Sequence, residues 1–266
     1  MVKTDEIMGG PGLMPALGVV ALQVAVVKRM WGDDWSEVDN AFSHCSVIWP
    51  ALATAVYLGM VFLGQRMMRD RAPFDESCKP YMLVYNLYQT VFNSWWVVMA
   101  VLEVYELGYP PFNLPLTLKA DQFNLGFLIW LHYQNKYLEM LDTVFMVLRK
   151  KTKQVSFLHC YHHVLLLWAW FAVCRFGCGG ESWFGAWMNS LIHVLMYGYY
   201  FLSTIKIPVP WKRYLTQAQM LQFVICLAHT LYACPPFFYP LSAYVCTHAC
   251  IYLLRSYNTR ARARTH

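Results

Sequence analysis

Seven apolar runs with charged boundaries recur from Cys45 onward, and no other feature narrows the fold of this sequence as much. They lie near 45–65, 82–105, 122–148, 156–174, 183–204, 217–234 and 237–254. A helix rises about 1.5 Å per residue, so about 20 apolar residues cross a bilayer. Several of the runs exceed that length and the last two fall slightly below it. Pro235 and Pro236 mark the turn between those two, because proline cannot continue a helical hydrogen-bond ladder. Composition points the same way: 58% of the 266 residues are hydrophobic and only 14% are charged. A soluble domain carries about a quarter charged residues. The sequence therefore predicts an all-α polytopic membrane bundle of seven transmembrane helices.

A short N-terminal apolar segment precedes them. Gly12 to Val27 spans 16 residues, roughly 24 Å of helix, which is short for a crossing. It reads equally as an extra short helix, an interfacial helix or an uncleaved signal-anchor. A cleavable signal peptide is not expected, since Asp5 and Glu6 accompany Lys3 and no small-residue cleavage site follows. The expected organisation is an N-terminal segment over 1–44, a membrane domain over 45–255 and a basic tail over 256–266.

Basic residues orient the bundle. Arg66, Arg69, Arg71 and Lys79 fall in one loop; Arg149, Lys150, Lys151 and Lys153 in another; Lys206, Lys212 and Arg213 in a third. With Arg255, Arg260, Arg262 and Arg264 of the tail they make 15 of the 21 Lys and Arg, whereas the opposite loops after Cys45 offer Lys119 and Arg175. Positive charge collects on the cytosolic side, so these loops and the C-terminus are expected there. Lys28 and Arg29 fit this poorly. The net charge of +6 is read as juxtamembrane anchoring and contact with anionic lipid or an anionic cytosolic substrate, not as nucleic-acid binding. Among nine cysteines, Cys174, Cys178 and Cys234 lie near non-cytosolic helix ends, where an oxidising compartment would permit a disulfide.

Polar side chains inside such spans are costly and face the bundle interior. The third span carries His132, Asn135, Lys136, Glu139, Asp142 and Thr143, which steps of three and four place on one face. Lys136 and Glu139 are spaced to pair. The alternative is a helix end with a snorkelling Lys136 and a structural salt bridge. The fourth span opens with His159, His162 and His163 at i, i+3 and i+4, three imidazoles on one face; Cys160 lies off that face and is expected to pack. The fifth presents Asn189, His193, Met196, Tyr197 and Tyr200, for a site or for interhelical hydrogen bonds. Thr216, Gln219 and Gln222 in the sixth fit structure or substrate contact equally. Asn86, Gln89, Thr90 and Asn93 in the second read as helix–helix contacts that could line the site. His44, His229 and His248 stand alone and are assigned no role.

These residues resemble the signatures of the ELO family of very-long-chain fatty acid elongases, the membrane 3-oxoacyl-CoA synthases. The Lys-x-x-Glu-x-x-Asp-Thr motif is similar to Lys136, Glu139, Asp142 and Thr143. The His-x-x-His-His box corresponds to His159, His162 and His163, and Asn-x-x-x-His-x-x-Met-Tyr-x-Tyr-Tyr to Asn189, His193, Met196, Tyr197, Tyr199 and Tyr200. Thr-x-x-Gln-x-x-Gln-Phe corresponds to Thr216, Gln219, Gln222 and Phe223. All four occur in order over about residues 45–255, without departure inside a motif. The resemblance implies a seven-helix bundle in the endoplasmic reticulum. It also implies condensation of malonyl-CoA with a fatty acyl-CoA, with a reductase, a dehydratase and a second reductase completing the cycle.

That chemistry needs an acyl acceptor and stabilisation of the enolate left by decarboxylation. No cysteine shares the polar face, so His162 is expected to attack the thioester. His193 would serve as acid/base or oxyanion stabiliser, with His159 and His163 orienting the pair and Asn189 donating a hydrogen bond. Asp142 and Glu139 would fix imidazole tautomers while Lys136 balances their charge. Direct condensation without an acyl-enzyme is the alternative route. Thr143, Tyr197, Tyr200, Gln219 and Gln222 are expected at the substrate, and Lys150, Lys151, Lys206, Lys212 and Arg213 at CoA phosphates. No cofactor or metal is expected, since malonyl-CoA and acyl-CoA are substrates. Membrane lipid, the other enzymes of the cycle and a homo- or hetero-oligomer are the expected partners. Two rivals compete: a di-iron membrane desaturase or hydroxylase, whose histidine boxes typically repeat, and a non-enzymatic seven-span carrier or receptor.

Overall fold

The computed structural model describes residues 45–106, 108, 114 and 123–233, and over these it is helical, with no strand. The N-terminal segment, the run at 237–254, the basic tail, Lys119, Cys234, His44 and His248 lie outside the described residues.

Each expected run within them becomes a helix. The helices are α1 (Ile48–Met68), α2 (Asp75–Glu106), α3 (Phe123–Glu139), α4 (Leu141–Leu148), α5 (Phe157–Gly177), α6 (Ser182–Thr204) and α7 (Leu215–Ala233). A 3-10 turn at Pro210–Tyr214 leads into α7. The run expected as one span over 122–148 is two helices: Met140 interrupts it, and Thr143 N–H bonds the Met140 carbonyl at 3.2 Å, an i to i+3 closure that tightens the chain. The single polar face expected for that run is accordingly redistributed, because residues on either side of the break point to different neighbours.

By length and apolar composition, α1 and α5 are sufficient to cross a membrane. The others are shorter or carry the polar stripes, and a helix that lines a polar site forfeits uniform apolarity. α2 packs along α6, α3 along α5, and α1 against α4 and α5. Tyr57, Leu125, Ile129, Tyr133, Leu167 and Phe171 anchor the larger core. Trp96, wholly buried, ties α2 to α3 by donating from Nε1 to the Leu128 carbonyl at 2.6 Å. Outward, α1 and α2 expose large apolar side chains such as Trp49, Phe62, Val84 and Val91. In a water-soluble protein such a surface would drive association; here it is a lipid-facing one.

The loop residues hold the basic end together. Arg149 Nε donates to Asp75 Oδ1 at 2.8 Å, joining the end of α4 to the start of α2. The Arg149 guanidinium holds the Asp75 carboxyl below its ordinary 3.8. Lys150, at φ 52°, turns the chain out of α4 and donates to the carbonyls of Arg69 and Arg71, each at 3.0 Å.

Candidate active site

Glu139, at the last turn of α3, organises the site. Its Oε1 accepts from Lys136 Nζ at 2.7 Å and from Asn135 Nδ2 at 3.1 Å, and lies 3.2 Å from His193 Nδ1. The His193 approach is close but off the ideal hydrogen-bond line. Lys136 Nζ also donates to Asn189 Oδ1 at 2.7 Å, and Asn189 Nδ2 sits 3.3 Å from His193 Nε2. Both nitrogens of His193 are therefore addressed: a carboxylate faces Nδ1 and an amide donor faces Nε2, which favours the tautomer with hydrogen on Nδ1. Lys136 and Glu139 are only 2% and 3% exposed. Two opposite charges at that depth persist because they neutralise one another and take further hydrogen bonds from Asn135 and to Asn189.

The histidine box starts at a capped helix end. Ser156 takes an extended conformation and its Oγ accepts from the His159 amide at 3.2 Å, so α5 begins at a fixed register. The His159 and His163 rings meet edge-on at 4.6 Å, and those of His162 and His163 at 5.9 Å. His162 lies within electrostatic reach of His159, Lys136, Glu139 and His193, which places the box beside the Glu139 cluster. Thr143 Oγ1 lies 2.9 Å from His159 Nε2 and 2.9 Å from the Tyr57 hydroxyl.

Asp142 turns elsewhere. It is not beside an imidazole to fix its tautomer, as expected; it accepts from the Tyr197 hydroxyl at 2.7 Å, and Tyr85 joins Tyr197 at 3.3 Å. The Tyr197 hydroxyl, reaching across from α6, is the nearer partner. Tyr200 stands against the Tyr197 ring at 6.0 Å. Gln219 Nε2 is 3.7 Å from Met196 Sδ, and Gln222 is buried at 4% exposure on α7.

The basic residues remain at the rim. Lys151 is 4.0 Å from Asp75 Oδ1, Lys212 stands over the Tyr199 ring at 5.4 Å, Arg213 over Tyr214 at 4.6 Å, and Lys206 is exposed. Lys150 is engaged in loop closure instead.

Several residues join the site that sequence alone left aside. Tyr57 and Ser156 occur as single polar residues flanked by apolar ones, which carries no periodic signal, whereas Tyr85 precedes Asn86 and stands one turn from Gln89. Gln89, read from sequence as a helix–helix contact that could line the site, accepts at Oε1 from Asn135 Nδ2 at 2.9 Å, one bond from Glu139. His132 is wholly buried between Trp96 and Trp170 and bonds Ser190 Oγ at 3.1 Å. His229, assigned no role, pairs with Glu181 at 2.8 Å at the opposite end of the bundle. Cys174 and Cys178 turn their thiols to the carbonyls of Ile129 and Gly126 on α3. Cys160 does pack at the core edge, with its thiol against the Tyr57 hydroxyl. Among the described residues no three His, Cys, Asp or Glu side chains gather as a metal ligand set.

A sequence profile of the ELO family, described as the GNS1/SUR4 family, matches residues 42–260. The chain belongs to the ELO family. Curated relatives agree. It is similar to very long chain fatty acid elongase 2 of Mus musculus, 37% identical over 79% of this chain and 72% of that one. It is similar to elongase 4 of Macaca mulatta, 32% identical over 96% of this chain and 86% of the relative. It is also similar to elongase 5 of Homo sapiens, 39% identical over 76% and 69%. Every motif described above lies within the ELO match.

Proposed function

We propose that this ELO chain is a very-long-chain 3-oxoacyl-CoA synthase, condensing malonyl-CoA with a fatty acyl-CoA to give a 3-oxoacyl-CoA two carbons longer. The observation that carries this reading is the buried Lys136–Glu139–Asn189–His193 cluster inside an ELO match, with His162 of the histidine box within electrostatic reach of it. A carrier would not need so many titratable groups at one depth. A di-iron oxidase typically repeats its histidine box, and this sequence carries a single His-x-x-His-His.

In the proposed route, the lone pair of a neutral His162 ring nitrogen attacks the acyl thioester carbon. The carbon–sulfur bond breaks and CoA leaves as its thiolate, which takes a proton at the site. Malonyl-CoA then binds, its C2–carboxylate bond breaks, and carbon dioxide departs. The enolate of acetyl-CoA attacks the acyl-imidazole carbon; a carbon–carbon bond forms, the bond from that carbon to the His162 nitrogen breaks, and the ring regains, from solvent by way of His193, the proton it gave to CoA. His193 supplies the hydrogen-bonding or proton-transfer partner, its ring directed by Glu139 on one side and Asn189 on the other. Lys136 offsets the Glu139 charge, so the cluster carries no net charge to repel the anionic enolate. The thioester head enters from the basic rim, where Lys151, Lys206, Lys212 and Arg213 are candidate phosphate contacts, and Thr143, Tyr197, Tyr200, Gln219 and Gln222 approach the substrate. No cofactor is assigned.

The same reading places a catalytic domain over 45–255 as seven spans in the endoplasmic reticulum membrane, with the C-terminus cytosolic. A 3-oxo product requires reduction, dehydration and a second reduction, so enzymes of those classes are the expected partners. The two-step route is tested by incubating purified protein with acyl-CoA alone. It predicts release of CoA in an amount near that of enzyme and an acyl adduct on His162 by mass spectrometry. Active protein that releases no CoA before malonyl-CoA is added would establish direct condensation instead.

A further inference from the structure

We propose that Tyr57, on a helix that otherwise faces lipid, is a positioning residue that orients His159 through the hydroxyl of Thr143. The inference rests on the elongase reading of the site.

α1 exposes apolar side chains such as Trp49, Val56 and Phe62 by more than half, yet Tyr57 is 3% exposed. A phenol placed for packing alone would serve as well without its hydroxyl, and a buried hydroxyl requires a partner. Here the partner is itself engaged: Tyr57 Oη to Thr143 Oγ1 and Thr143 Oγ1 to His159 Nε2 are both 2.9 Å. Thr143 has one hydrogen and two lone pairs. When Tyr57 donates to Thr143, the Thr143 hydrogen is directed to His159 Nε2 and that ring carries its hydrogen on Nδ1. When Tyr57 donates to the Cys160 thiol instead, Thr143 donates to the phenol and His159 Nε2 carries the hydrogen, so in either arrangement the phenol sets the role of His159 Nε2. Without the phenol, Thr143 can turn its hydrogen to a carbonyl of its own preceding turn, the usual alternative for a helical threonine. His159 then loses the contact that sets its ring plane. That plane matters because His159 meets His163 edge-on at 4.6 Å, and His163 in turn meets His162.

The register of α1 supports the relay. Gly64 lies two turns beyond Tyr57 on the same face, and a Cβ there would meet Val147 Cγ1 at 3.0 Å. Val147 stands one turn beyond Thr143 on α4. Tyr57 and Gly64 thus oppose Thr143 and Val147 as a matched pair of contacts, and the close approach at Gly64 brings the Tyr57 hydroxyl within reach of α4.

The test uses the full chain in phospholipid nanodiscs with malonyl-CoA and an accepted acyl-CoA. Tyr57→Phe is expected to lower kcat about tenfold, change KM less than twofold and move the pH profile of kcat, with the thermal midpoint retained. Adding Tyr57→Phe to Thr143→Val should cost nothing further, because the relay is already cut. If Tyr57→Phe fails to fold, 3-fluorotyrosine at position 57 keeps the shape while making the phenol more acidic, and it too should move the pH profile. A wild-type kcat and pH profile in Tyr57→Phe, effects that multiply with those of Thr143→Val, or a fluorotyrosine profile identical to wild type would each overturn the proposal. Wild-type protein that condenses no acyl-CoA overturns the elongase reading instead.

Discussion

Lys136 and Glu139 present the sharpest energetic question at the residue scale. Their pairing at 2.7 Å in an apolar bundle means that neither charge tolerates the loss of the other. Removing one partner of a buried pair costs about 3–5 kcal/mol, whereas removing both costs far less. Lys136→Met and Glu139→Gln should therefore each lower the thermal midpoint strongly, and the double variant should recover most of that loss. Condensing activity should be abolished in both variants that replace Glu139, because His193 Nδ1 then faces no carboxylate, and should fall in Lys136→Met, where Asn189 loses the donor that holds it beside His193. Thermal denaturation beside a condensation assay checks both halves; a double variant as unstable as the sum of the singles would show that the two charges do not form a unit. Asn135 and Gln89 extend the same network to α2 by hydrogen bonds of 3.1 and 2.9 Å, so Gln89→Leu should lower kcat several-fold.

Helix ends and breaks decide where those residues point. Ser156 is the side-chain cap of the helix that begins the histidine box, and replacing such a cap by alanine costs about 1 kcal/mol. Ser156→Ala should lower the thermal midpoint modestly and reduce kcat more than its stability loss explains, since the frayed turn is the one that carries His159. Equal kcat in wild type and variant would contradict this. The helices themselves were legible in the sequence because long apolar runs between charged boundaries admit few other solutions. The interruption at Met140 was not, because its cause is a local closure over three residues with no proline or glycine to signal it. Nor was the contribution of Tyr57, which sits in an apolar run with no periodic polar signal. The motif histidines, Asn189, Lys136 and Glu139 were legible as faces; that Asp142 turns to Tyr197 depends on how α4 meets α6, and so on tertiary structure.

For the whole molecule, the basic rim joins separate helices by a few exposed contacts. The Arg149 guanidinium depresses the Asp75 carboxyl, so the stability this pair adds is present above the ordinary value of 3.8 and fades as pH falls through the lowered one. Asp75→Asn should destabilise the protein slightly at neutral pH, and the difference from wild type should narrow as pH falls below the ordinary 3.8 toward the lowered folded value. Thermal midpoints across pH 3 to 7 read this directly, and a difference that grows toward acid would contradict it. Association of the pieces into a catalyst is the larger claim. It rests on the histidine box and the Glu139 cluster working at one depth on an acyl chain that lies in the membrane and a CoA head that does not. The decisive measurement gives labelled malonyl-CoA and a panel of fatty acyl-CoAs to purified protein in nanodiscs, with His162→Ala alongside. The account predicts labelled 3-oxoacyl-CoA two carbons longer than the acyl-CoA supplied, and none from His162→Ala. Absence of that product with every acyl-CoA, or undiminished product from His162→Ala, would contradict it.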